Sequence, residues 1–207
     1  MNYLTPAKAA EDFFIEKKSK FIGSLCPVTT EEEAVAFIQS IKSQHPQARH
    51  HVYAYILRKD NAMRYSDAGE PSGTGGQPML GVLQREGLTD VCVVATRYFG
   101  GILLGAGGLT RAYAKAAKIA VDAAGILEMR MCKILSVHCP YSVYDKLSAA
   151  LSVRGGDISA PEFGADISFT LSCAPEQVEV LRACIMELSA GVADCAESGE
   201  KFIGFLK

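Results

Sequence analysis

The sequence predicts an α+β protein built from two domains, and three observations carry that expectation. Residues 133–196 run strand, helix, strand, strand, helix, strand, which is the ferredoxin-like βαββαβ unit. Residues 20–124 alternate apolar strands with amphipathic helices, the pattern of a two-layer α/β domain. The composition, 49% hydrophobic and 21% charged, is that of an ordinary globular chain. No Pro- or Ser-rich linker separates the halves, so the boundary between residues 1–128 and 129–207 rests on pattern alone.

In the first half, residues 20–28 read as a strand. Thr30 and Glu33 form a capping box for a helix with the apolar face Ala34, Phe37, Ile38 and Ile41, stopped at Pro46. Residues 52–57 and 62–66 read as neighbouring strands and 80–85 as a short helix. The unbroken apolar run Val91 to Ala95, within 90–97, is typical of a central strand, and a long helix follows over 108–124.

In the second half, Ile134, Leu135 and Val137 mark a strand over 133–138. Tyr144, Leu147 and Leu151 lie on one helical face, and Gly155-Gly156 supplies the stop. Short strands at 157–162 and 165–173 meet at a Phe163-Gly164 turn. Pro175 opens a second helix with the face Val178, Leu181, Ile185 and Leu188, and a strand at 191–196 closes the unit.

The formal net charge is −2, which argues against a uniformly basic nucleic-acid binder. Residues 1–128 carry 14 basic and 13 acidic side chains and residues 129–207 carry 7 and 10, so any anionic partner is expected on the first domain rather than the second. Seven cysteines, with no C-x-x-C pair among them, suit free thiols in a reducing compartment. The N-terminus lacks the apolar core of a signal peptide, and no stretch approaches the ~20 apolar residues of a membrane span. A cytoplasmic protein without membrane contact is expected.

Two glycine-rich loops hold the candidate binding groups. The first runs from Ser66 to Pro78 and contains Asp67, Glu70, Ser72, Gly73 and Thr74. Its many backbone amides suit an anion-holding nest, although no Gly-Lys-Ser/Thr closes it as a Walker loop would. The alternative is a structural loop whose glycines serve its turns. The second runs from Arg97 to Gly108 and contains Tyr98, Gly100, Gly101, Gly105, Gly107 and Gly108. Leaving a strand and entering a helix, it aims amides and the positive helix end at a ligand. The alternative is close packing, with Ile102, Leu103 and Leu104 in the core. The dinucleotide fingerprint fails at Thr110, and no cofactor is implied.

Arg111, Lys115 and Lys118 form one basic stripe on the long helix. Tyr98 and Phe99 are placed to stack on bases, with core packing the other reading for Phe99. His50 and His51 open a strand and point to opposite faces. A metal site would need further ligands such as Asp67 and Glu70, and no metal spacing supports one. No nucleophile stands beside a His, so no catalytic residue is assigned and binding is favoured over catalysis.

The motifs Ser19-Lys20-Phe21-Ile22, Arg49-His50-His51-x-x-Ala54-Tyr55, Gly69-Glu70-Pro71-Ser72-Gly73-Thr74 and Arg97-Tyr98-Phe99-Gly100-Gly101-Ile102-x-Leu104-Gly105-x-Gly107-Gly108-Leu109-x-Arg111-Ala112-Tyr113 resemble, in that order, the IMPACT/YigZ family. The chain departs from the family pattern at Ala68, where Asp is usual, and at Gly75, where Ala is usual. The resemblance implies a first domain similar to ribosomal protein S5 domain 2 and a second similar to the last domain of elongation factor G. It also implies an association with translational control. The function expected is a translation-associated regulatory or binding protein that contacts RNA or a ribosome-linked protein. The alternatives are an enzyme acting on a small phosphorylated or acyl substrate, with Glu70 and His50 in proton transfer, and a protein-interaction module that binds no nucleic acid.

Overall fold

The structure, a computed structural model, describes residues 2–159 and 161–207. They form two compact units, one of Tyr3–Glu128 with Gly204–Lys207 and one of Met129–Ile203 with Asn2.

The first unit contains β1 (Tyr3–Pro6), β2 (Ala10–Glu16), β3 (Ser19–Pro27), α1 (Glu31–Gln44), β4 (His50–Leu57), β5 (Ala62–Ser66), α2 (Gly76–Arg85), β6 (Val91–Tyr98) and α3 (Ala106–Ala124). Five strands form an antiparallel sheet in the order β2-β3-β6-β4-β5. Phe21, Val52, Ala54, Val93 and Ala95 share a buried cluster with Met79 and Leu83 of α2 and with Tyr113, Ala116 and Ala120 of α3. Tyr55, Leu57, Cys92 and Val94 pack instead with Ala34, Ile38 and Ile41 of α1. Strand β6 is thus covered on both sides, which is why its apolar run is unbroken.

Small residues let α3 lie close to the sheet. A Cβ on Gly23 of β3 would sit 2.1 Å from the Ala116 carbonyl oxygen. The α1 capping box forms as expected, with Glu33 N–H donating to Thr30 Oγ1 at 3.2 Å. Strands β1 and β2 have no counterpart in the sequence reading, because Glu11, Asp12 and Glu16 spoil the apolar pattern of β2. The β2–β3 hairpin turns on Lys17 and Lys18, both left-handed at φ 45° and 65°. Hairpin turns of that geometry favour Asn and Gly, so two lysines give no sequence signal.

The second unit contains β7 (Ile126–Cys139), α4 (Tyr141–Val153), β8 (Asp157–Ile158), β9 (Glu162–Phe163), β10 (Ile167–Cys173), α5 (Val178–Ser189) and β11 (Asp194–Leu206); the ends of β7 and β11 fall in the first unit. β10 pairs antiparallel with β7, β8 and β9, and β11 pairs with β7. Leu147 and Leu151 of α4 and Leu181 and Ile185 of α5 pack with Leu135, Val137, Phe169 and Leu171 of the sheet. Several bounds differ from expectation, among them the end of the last strand, which runs to Leu206 rather than 196. β7 begins at Ile126 rather than 133. The strand expected over 157–162 becomes two short ones, with position 160 outside the described residues. The last strand begins at Asp194, because Ala190 (φ 50°) and Gly191 (φ 80°) reverse the chain after α5.

Candidate functional site

Strand register gathers the candidate residues at one end of the first unit's sheet. Lys20 pairs with Tyr98, His50 with Arg97, and Tyr53 with Ser66. The Lys17-Lys18 turn, the end of β6, the start of β4 and the end of β5 therefore lie together. So do the two glycine loops, which lead from β5 into α2 and from β6 into α3.

The first loop is closed around its own carboxylate. Asp67 Oδ2 accepts from Gly73 N–H at 2.8 Å, and Oδ1 accepts from Gly75 and Gly76 N–H at 2.9 Å each. Burial opposes the charge, yet these three amides hold the Asp67 carboxyl below its ordinary range. These amides, expected to face an external anion, are taken by the chain's own carboxylate. Thr74 is buried and its hydroxyl donates to the Pro71 carbonyl at 2.6 Å, while Ser72 is exposed.

Glu70 braces this loop from within. Its Oε1 accepts from Arg97 Nη1 at 2.6 Å and from the Tyr113 hydroxyl at 2.7 Å, and the Glu70 and Arg97 side chains are 5% and 6% exposed. Burial first, then the hydrogen bond to Glu70, raises the Tyr113 phenol, which keeps its proton as the donor. The structure therefore places Arg97 and Glu70 against each other and away from solvent, not on a docking face. His50 Nδ1 lies 2.9 Å from the Ala68 carbonyl oxygen, which can only accept, so that nitrogen carries a proton. His50 Nε2 stands 3.9 Å from Glu70 Oε1, beyond hydrogen-bond reach for the proton transfer considered above.

The second loop is open. Gly100 is pressed onto the hairpin turn: its N–H donates to Ser19 Oγ at 3.1 Å, and a Cβ there would meet the Lys18 carbonyl carbon at 2.0 Å. Gly101 and Gly105 are left-handed, at φ +83° and +74°, with open space where a side chain would go. The core reading of the adjoining residues is overturned, since Leu103 is 81% exposed, Ile102 41% and Phe99 44%, while Leu104 is half-buried. Glycine flanks and left-handed turns carry this tip outward. Tyr98 bonds to His45 Nδ1 at 3.0 Å, so its hydroxyl is engaged within the unit.

Helix α3 starts on Gly105 with no side-chain cap and no acidic residue in its first turn, which contains Gly107 and Gly108. Beside it lies a cleft of about 260 Å³, lined by Phe14, Glu16, Lys17, Leu104, Gly108, Arg111, Ala112 and Lys115. Lys115 Nζ sits 4.4 Å from the centre of the Phe14 ring, which itself stacks on Phe21. Arg111 and Lys17 are exposed and have no carboxylate partner among the described residues. Lys118 stays on the exposed helix face but its charge is paired, with Glu86 at 3.0 Å and Asp122 at 2.7 Å. Phe14, Lys17, Lys18 and Tyr113 were not foreseen as site residues. Among the described residues, no group of three or more His, Cys, Asp or Glu side chains is placed to hold a metal, and no helix is long and apolar enough to cross a membrane.

These features define a two-unit α+β protein whose first unit presents a cationic cleft and an apolar loop tip at one end of its sheet. The chain belongs to the IMPACT family: the Impact N-terminal domain matches residues 17–121, and a domain of unknown function, DUF1949, matches residues 137–192. It is 36% identical over 197 residues to IMPACT family member YvyE of Bacillus subtilis, covering 95% of this chain and 91% of that one. It is 32% identical over 193 residues to IMPACT family member YigZ of Escherichia coli, covering 92% and 95%. Protein IMPACT homolog of Dictyostelium discoideum is 37% identical over 95 residues, 44% of this chain and 27% of that one. A solved structure described as a hypothetical protein superposes with a TM-score of 0.60 at 30% identity, covering 97% of this chain and 98% of that one.

Proposed function

We propose that this chain is a translation-associated binding protein that docks RNA at the open end of its first unit. The observation that carries the reading is the cleft in which Lys17, Arg111 and Lys115 converge beside the uncapped start of α3. A helix N-terminus and free cations together attract phosphate, and such contacts weaken steeply with salt. The translational setting rests on the family, and the cations of the cleft support the RNA contact. Ribosome co-sedimentation at low and high salt tests it. The expected result is co-sedimentation at low salt that high salt removes and that Arg111→Ala with Lys115→Ala abolishes. Absence of binding at low salt, or binding untouched by both substitutions, overturns it.

One observation favours a second reading, a protein-interaction module. Phe99, Ile102 and Leu103 form an exposed apolar tip next to the cleft, and clustered exposed apolar side chains mark partner sites. A pull-down that survives nuclease treatment and is lost in Leu103→Asp separates this reading from the first.

A further inference from the structure

The chemistry of the cleft narrows the ligand beyond polyanions in general, and this step rests on the RNA-docking reading above. We infer that the cleft holds a phosphate monoester carried by a ligand the size of one nucleotide, such as a phosphorylated RNA end. Three observations lead there. The space, about 260 Å³, suits one compact group such as a phosphate, with the rest of the ligand extending outward.

Charge is the second. The lining cations Lys17, Arg111 and Lys115 face a single carboxylate, Glu16, leaving two positive charges unmatched. A phosphodiester brings one negative charge, whereas a phosphate monoester brings roughly −1.5 to −2 at neutral pH. The monoester balances the cleft and the diester does not. Arg111 supplies the planar fork that grips two phosphate oxygens, and Gly108 lines the cleft without a side chain that would fill it.

Third, no free aromatic face lines the cleft itself, and the ring of Phe99 on the neighbouring tip has the Arg97 guanidinium 5.4 Å from its centre. The cleft's only ring, Phe14, stacks on Phe21 with centroids 5.3 Å apart and carries the Lys115 ammonium. Recognition then falls on the phosphate rather than on the base, in contrast to single-strand binders that stack each base on an open ring.

The same chemistry has two sources, an RNA end and a free mononucleotide, and one experiment separates them. Binding of the full chain is measured by fluorescence anisotropy with a short single-stranded RNA bearing a 5′-phosphate or a 5′-hydroxyl, and with unlabelled AMP and adenosine as competitors. The expected result is about tenfold or more tighter binding of the phosphorylated strand. That preference disappears in Arg111→Gln with Lys115→Gln and persists in Lys146→Gln, an exposed lysine of the second unit. Competition by AMP and not by adenosine also supports the inference. If AMP binds in direct titration calorimetry and neither RNA binds, the monoester site stands and the RNA reading falls. If both RNA ends bind equally, the inference falls and RNA docking stands. If nothing binds, both fall.

Discussion

Asp67 is the residue on which the first loop's shape depends, since three of the loop's amides end on its carboxylate. Hydrogen bonds to a charged group contribute about 1.5–3 kcal/mol each, less where they share one acceptor. Asp67→Asn is expected to cost about 2–4 kcal/mol in chemical denaturation, because its amide half meets N–H groups. The pH dependence follows from the lowered pKa. The stabilisation is fully present above the unfolded-state value of about 3.9 and is lost as pH falls through the lower folded value. The wild type should therefore lose this increment below about pH 4, and Asp67→Asn should lack that part of the acid slope. Glu70 and Arg97 are a buried pair, so removing either partner is expected to cost about 3–5 kcal/mol. The double substitution should cost less than the sum, which a double-mutant cycle measures. The sequence marked Asp67, Glu70 and Arg97 as site residues, because carboxylates in a Gly-rich turn and an Arg at a strand end stand out. It did not show that they satisfy one another, since Arg97 is 27 residues from Glu70 and Tyr113 is 43.

At the scale of elements, close backbone approaches set the geometry of the site. Gly23 lets α3 sit against β3, and Gly100 lets the second loop lie on the hairpin turn. Gly23→Ala should destabilise by more than about 2 kcal/mol, because the atom it strikes is a helix carbonyl that cannot swing aside. The hairpin itself holds two lysines in a backbone conformation that costs L residues about 1–2 kcal/mol each. Lys17→Asn with Lys18→Gly is thus expected to raise the melting temperature and to weaken RNA binding, a trade of stability against the cationic rim. The sequence showed the elements that obey local rules, such as α1 with its capping box and β6 with its apolar run. It missed β2, whose acidic residues stand on an edge strand, and it left open whether Leu103 lies in the core or beside a ligand. Nothing local distinguishes a leucine flanked by glycines inside a protein from one on an exposed tip.

Over the whole molecule, net charge misleads where local placement decides. The near balance of 14 basic and 13 acidic side chains in residues 1–128 conceals an uneven distribution. Asp67 is tied to loop amides and Glu70 to Arg97, while Lys17, Arg111 and Lys115 face one cleft. The proposed function requires that this end of the first unit bind phosphate through those three cations. The most direct test is the salt dependence of binding to a single-stranded RNA, plotted as log affinity against log salt. Neutralisation of phosphate charge by these cations predicts a negative slope, roughly −0.7 for each phosphate charge neutralised, which becomes shallower in Arg111→Ala with Lys115→Ala. A slope near zero, or one the two substitutions leave unchanged, would contradict the account.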